Sequence, residues 1–158
     1  MLDLHYRSAY RFAGPLVLLV ASGALGVALP GVASAEGAGI QSSMQCDRAS
    51  EPGRVRCTVE ARVDDHRTIA WADVEILSLP DFASALKGRI GPQDALTRDA
   101  TTTKWALGLV ARRSGQGEVR ARVRIVACDA PRPGAASGDP KAHCTPVIVE
   151  VKAQVTVG

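Results

Sequence analysis

Valine or alanine returns at every second position from Val147 to Val157, with Glu150, Lys152, Gln154 and Thr156 in between. Side chains two residues apart share one face of an extended strand, so this stretch predicts a strand with one side in a core and the other in water. The same alternation marks 54–63. There Val55, Cys57, Val59, Ala61 and Val63 point one way, and Arg54, Arg56, Thr58, Glu60 and Arg62 the other. Trp105, Leu107, Leu109 and Ala111 oppose Ala106, Gly108 and Val110; Val119, Ala121, Val123 and Ile125 oppose Arg120, Arg122, Arg124 and Val126. From Thr68 to Leu79 both sets hold large apolar residues, Ile69, Trp71 and Leu77 on one and Val74 and Ile76 on the other. That predicts a central strand, with Asp73 and Glu75 beside Trp71 on a face only partly covered.

Turn chemistry punctuates these runs. Asp64-Asp65-His66 and Ser114-Gly115-Gln116-Gly117 read as turns, the second predicting a hairpin between its flanking strands. Pro80-Asp81 predicts a short helical turn near residues 80–88, over Phe82, Ala85 and Leu86, that Gly88 can end. Between Cys128 and Cys144 lie Pro131, Pro133 and Pro140 with Gly134 and Gly138. Proline has no N–H for a sheet ladder, so this segment reads as a long exposed loop. Five or six strands at this spacing predict an all-β protein, an antiparallel β-sandwich that is immunoglobulin-like in general shape. A small closed barrel is the competing architecture.

The N-terminus reads differently. Arg7 and Arg11 precede an apolar run from Ala13 to Leu29, Pro30-Gly31 breaks it, and Ala33-Ser34-Ala35 follows. A basic start, an apolar core and an A-x-A end predict a secretory signal peptide over residues 1–35, cut after Ala35. An uncleaved anchor is the alternative, but Gly14, Pro15, Gly23 and Gly26 interrupt a run at the low limit for a membrane span. Residues 36–158 are then one exported domain, periplasmic or extracellular, with no stable membrane span after cleavage. Its 36–158 charge is about +2, too small to demand a polyanionic partner. Trp71, Phe82 and Trp105 are its only aromatics, too few for base-stacking platforms, so no nucleic acid is expected.

Cys46, Cys57, Cys128 and Cys144 all fall in the exported part, an even count that predicts two disulfides. Of three possible connectivities, strand order favours Cys46–Cys57 and Cys128–Cys144. Neither pair has zinc-ligand spacing, and the only histidines available are His66 and His143, so no metal is expected. Nor is there a nucleophile elbow, a metalloprotease helix or a phosphate-binding glycine loop, and no cofactor is expected. Asp64, Asp65, Asp73 and Glu75 could form an acidic patch at one end of the sandwich, but without the ligand spacing of a calcium loop.

Two features carry sharper expectations. Arg120, Arg122 and Arg124 share one strand face about 6.8 Å apart, with Arg112 and Arg113 across the expected hairpin. Such a stripe could bind an anionic surface polymer, an acidic protein or lipid headgroups. The plainer reading is a solvated face that discourages edge pairing, favoured if Glu60, Glu75 or Glu150 stand opposite. The other feature is the late cysteine pair in Ala127-Cys128-Asp129 and His143-Cys144-Thr145-Pro146. Over its last third the chain resembles the N-terminal domain of the periplasmic thiol:disulfide interchange protein DsbD. That resemblance implies an immunoglobulin-like fold in which Cys128 and Cys144 shuttle electrons to redox partners.

The leading expectation is therefore an exported, non-catalytic binding or envelope-associated module, with an unknown protein or an anionic surface polymer as partner. The alternative is a periplasmic thiol–disulfide exchange domain using Cys128 and Cys144. A third reading is an enzyme inhibitor that inserts Ala130–His143.

Overall fold

The computed structural model describes residues 33–37, 39–130 and 143–158. Its strands are β1 (Ala33–Gly37), β2 (Ile40–Cys46), β3 (Gly53–Val63), β4 (Arg67–Ser78), β5 (Ala83–Ala85), β6 (Arg89–Ile90), β7 (Ala95–Arg98), β8 (Thr102–Ala111), β9 (Gly115–Asp129) and β10 (Cys144–Val157). One sheet has the order β1-β2-β3-β8-β5, with β7 also on β8; the other has the order β10-β9-β4-β6. Every strand pairing within them is antiparallel. Setting β1 aside, β2-β3-β8-β5 and β10-β9-β4 reproduce the A-B-E-D and G-F-C orders of an immunoglobulin sandwich. The two sheets keep separate edges, which removes the closed barrel.

The core is the sum of the inward faces the alternation predicts. Val55, Cys57, Val59 and Ala61 of β3 are buried with Leu107 and Leu109 of β8, and with Val119, Val123 and Ile125 of β9. Burying each valine, leucine or isoleucine among them contributes roughly 1.5–3 kcal/mol. Trp105 is fully buried, and its indole Nε1 donates to the Gly91 carbonyl at 3.0 Å, so its one polar atom is satisfied.

Three local expectations are corrected. Along β4, Ile69 pairs with Ala127 while Trp71 pairs with the very next residue, Val126. The extra residue, Ala70, is a bulge that turns Ile69 and Ala72 both inward and leaves Trp71, Asp73 and Glu75 on the outward face. Ile69 therefore does not share a face with Trp71.

The hairpin across 114–117 does not form. β8 lies against β3 in the first sheet, whereas β9 lies between β4 and β10 in the second. The glycines serve a crossing between sheets, not a tight turn. A Cβ on Gly117 would stand 2.6 Å from Pro80 Cβ, so only glycine lets β9 pass beneath that corner.

Nor is there a helical turn over 80–88. Ala83 N donates to Pro80 O at 3.0 Å, closing a tight turn, and Ala83–Ala85 then runs as β5 against β8. Paired backbone outweighs the helical start because Arg112 N and Leu86 N bond across the strands to Phe82 O and Gly108 O. The one 3₁₀ turn among the described residues is Pro92–Asp94.

Candidate functional site

The outward face of the β10-β9-β4 sheet carries Arg120, Arg122 and Arg124, as their spacing predicts. The strand register sets Glu150 and Glu75 opposite Arg122, and Asp73 opposite Arg124. Arg120 pairs with Glu150 at 3.0 Å, and Arg122 reaches Glu150 at 3.7 Å and Glu75 at 3.9 Å. Arg124 closes on Asp73 through two hydrogen bonds, from Nε at 2.8 Å and from its terminal nitrogen. Arg89, on β6, donates to the same carboxylate at 2.6 Å. The Asp73 hydrogen bond holds the Arg124 pKa above its ordinary value. Arg112 and Arg113 lie in the other sheet's exit, where Arg113 pairs with Asp81 at 2.6 Å. Each arginine of the stripe thus has a carboxylate partner, and exposed pairs such as those of Arg120 and Arg122 contribute at most about 1 kcal/mol each.

The four cysteines form the two expected bridges, each between directly opposed residues of neighbouring strands: Cys46–Cys57 across β2 and β3, and Cys128–Cys144 across β9 and β10. Their surroundings differ. Cys57 is fully buried on the core face. Cys128 stands on the outward face of β9, two residues beyond Val126, and Cys144 is exposed. Most of the Pro/Gly segment beside it, residues 131–142, lies outside the described residues, so the inhibitory-loop expectation falls there.

A third surface was not anticipated. Across the outward side of the first sheet runs a groove of about 830 Å³, a size within the range of small-ligand sites. Its floor is the half-buried Ala106 and Gly108 of β8. One wall is the 47–54 connection with Arg48, Arg54 and Arg56; the other is Leu86, Lys87 and Asp94. Small floor residues make the depression, and Leu86 closes over it. A Cβ on Gly108 would come within 2.8 Å of Leu86 Cδ1, while Leu86 N donates to Gly108 O at 2.9 Å.

The walls are anchored. Ala49 N donates to Thr156 O at 3.1 Å, and Gly158 N returns a bond to Ala49 O at 2.9 Å. Lys87 is held by Asp94 at 2.6 Å, which keeps the Asp94 carboxyl below the ordinary carboxylate range. Arg48, Arg54 and Arg56 are exposed, and among the described residues none has a carboxylate partner. The register explains why. β2 ends at Cys46–Cys57; just beyond it Asp47 N still donates to Arg56 O at 2.8 Å without an ion pair between the two side chains, and the other neighbour of β3 is β8. On that side Arg56 faces Gly108 and Arg54 faces Val110, neither of which can ion-pair. The outward position of these arginines is legible in the sequence; their lack of partners depends on the register and is not.

The remaining candidates are dispersed. Asp64, Asp65 and His66 form the exposed β3–β4 turn, closed by Arg67 N on Asp64 O at 2.9 Å, whereas Asp73 is buried beneath two guanidinium groups. The acidic patch is therefore divided. His143 is exposed at the start of β10, its carbonyl accepting from Asp129 N. Among the described residues no group of three or more His, Cys, Asp or Glu could hold a metal ion, and no helix is long and apolar enough to cross a membrane.

No family model and no curated protein sequence matches the chain. Among solved structures it is similar to BslA, a bacterial hydrophobin, with a TM-score of 0.33 and 7% identity over 74% of this chain and 95% of that one. It is also similar to a structure from the AAF fimbriae of enteroaggregative Escherichia coli, with a TM-score of 0.29 and 8% identity over 74% of this chain and 99% of that one.

Proposed function

We propose that this protein is an exported, disulfide-stapled binding module without catalytic chemistry of its own, and that the groove between Arg54–Arg56 and Leu86 holds its ligand. One observation carries the reading: among the described residues Arg48, Arg54 and Arg56 stand together beside a shaped cavity, and none of them has an ion-pair partner. The arginine stripe of β9 is the poorer candidate, because a ligand there must displace Asp73, Glu75 and Glu150 first. The leader pattern of residues 1–35 and the two disulfides support export, since thiols stay reduced in cytosol. A rigid sandwich that presents connecting segments is a common framework for recognition, an argument by analogy of fold.

The test is made on the full chain expressed in a bacterium that secretes. The expected product starts at Glu36, has no free thiol, and crosslinks to envelope components from a photoreactive residue at position 106 but not at position 154 on the opposite sheet. Cytosolic protein with four free thiols, or equal crosslinking from both positions, overturns the proposal.

A second reading, thiol–disulfide exchange at Cys128–Cys144, is favoured by the outward position of that bridge. A partner dithiolate would attack the exposed Cys144 sulfur, breaking the Sγ–Sγ bond and releasing the Cys128 thiolate. The partner's second thiolate then resolves the mixed disulfide, so two electrons pass to this protein and the partner leaves oxidised. A measured reduction potential below about −300 mV, the range of inert structural bridges, overturns it.

A further inference from the structure

Resting on the groove as the binding site, we infer that its ligand is an extended acidic peptide carrying two carboxylates separated by one aliphatic residue. The argument begins with spacing. Arg54 and Arg56 are two residues apart on one face of β3, so their side chains leave the strand about 6.8 Å apart. An extended peptide lying along β3 repeats its own side chains at the same interval, so alternate acidic residues meet both guanidinium groups in register. Its intervening side chain points to the other side. There the opposite wall offers Leu86, which is 59% exposed and packs above Gly108.

The rim limits the length of the charge run. Asp47 stands beside Arg56, its N–H donating to the Arg56 carbonyl at 2.8 Å, Glu51 also lines the groove, and Lys87 is already engaged by Asp94. A long polyanion would bring many charges against those carboxylates and be repelled, whereas a segment with only two acids keeps the repulsion below its attraction to Arg54 and Arg56. Among the described residues no aromatic ring lines the groove to give the stacking surface on which bases are commonly held. Gly108 and Ala106 leave the floor low enough for a main chain to lie on it.

Fluorescence anisotropy on the oxidised full chain tests this with three probes: a labelled Gly-Glu-Leu-Glu-Gly peptide, the shifted Gly-Glu-Leu-Leu-Glu-Gly peptide, and labelled polygalacturonate. The first is expected to bind most tightly and to weaken as salt is raised. Removing both arginines (Arg54→Ala with Arg56→Ala) is expected to weaken it about tenfold or more, as loss of charge-assisted hydrogen bonds requires. Leu86→Glu on the facing wall is expected to weaken it by repulsion, and Arg120→Ala on the far sheet to leave it unchanged. All four altered residues are exposed, and an unchanged thermal transition separates lost binding from lost folding. Equal binding of the two peptides, or indifference to the arginines, overturns the inference. Arginine-dependent binding of polygalacturonate alone overturns the peptide but keeps the groove as a binding site. If no probe binds, the inference falls, and if position 106 also forms no crosslink, the groove falls with it.

Discussion

Arg124 lies over the ring of Trp71, its guanidinium carbon 5.8 Å from the ring centroid, while the same guanidinium grips the buried Asp73 carboxylate. The bulge at Ala70 makes this possible by turning Trp71 onto the outward face, in line with Asp73. Asp73 is only 2% exposed, although it stands on the solvent side of its sheet, because Arg89 and Arg124 cover it. Asp73→Asn is expected to destabilise the fold by about 1–3 kcal/mol, less than a deep ion pair because both arginines can turn to water. Urea denaturation measures it; an unchanged midpoint contradicts the assignment. Arg124→Ala should shift Trp71 emission without moving that of buried Trp105.

The two disulfides are expected to respond unequally to reduction. Cys128–Cys144 opens to solvent at Cys144, while Cys57 is fully buried. Timed thiol labelling under mild reductant should find Cys128 and Cys144 modified first. Replacing either pair by alanine removes roughly 3 kcal/mol of chain-entropy stabilisation. The inner pair should cost more, since Cys57→Ala also leaves a void between β3 and β8. Simultaneous reduction of both bridges would refute this ordering.

Thr103 gives the opposite sign. Its hydroxyl is buried and has no hydrogen-bond partner among the described residues, as is also true of Ser42. Thr103→Val keeps the shape and removes the unpaired group, so it should stabilise the protein by about 1 kcal/mol. A lower melting temperature for the valine variant would show that the hydroxyl is satisfied after all.

Asp99 sets an acid limit on the β7–β8 turn. It accepts backbone N–H bonds from Thr101 at 2.8 Å and Thr102 at 2.7 Å, and these hold its pKa below the ordinary 3.8. A carboxylate with a depressed folded pKa contributes stability above its unfolded pKa and loses it as pH falls through the folded one. The turn should therefore stay intact at neutral pH and loosen only below 3.8. Amide exchange at Thr101 and Thr102 should quicken there, and the acid response should vanish in Asp99→Asn.

Strand faces were readable from residues because period two is a local property. Val55 to Val63 and Val149 to Val157 bury the side chains that their alternation marks. What the alternation could not carry was which strands meet. Trp105–Ala111 and Val119–Val126 each have an apolar face and a glycine-rich link between them, a pattern that suits a hairpin or a crossing between sheets equally well. The approach of Gly117 to Pro80, far away in the chain, selects the crossing. The groove was hidden for the same reason. Arg54 and Arg56 look no different in sequence from Arg122 and Arg124, and only the register sets Val110 and Gly108 of β8 opposite the first pair where the second pair meets Glu150, Glu75 and Asp73.

Gly158 is tied down on both sides: its N–H to Ala49 and its carbonyl to the Ser114 hydroxyl at 2.7 Å. Ala49 belongs to the groove wall, so whatever is attached after Gly158 leaves the sandwich right beside that wall. A purification tag placed there would crowd the cavity and tug at its anchor. Probes of recognition are better carried on surfaces remote from that exit.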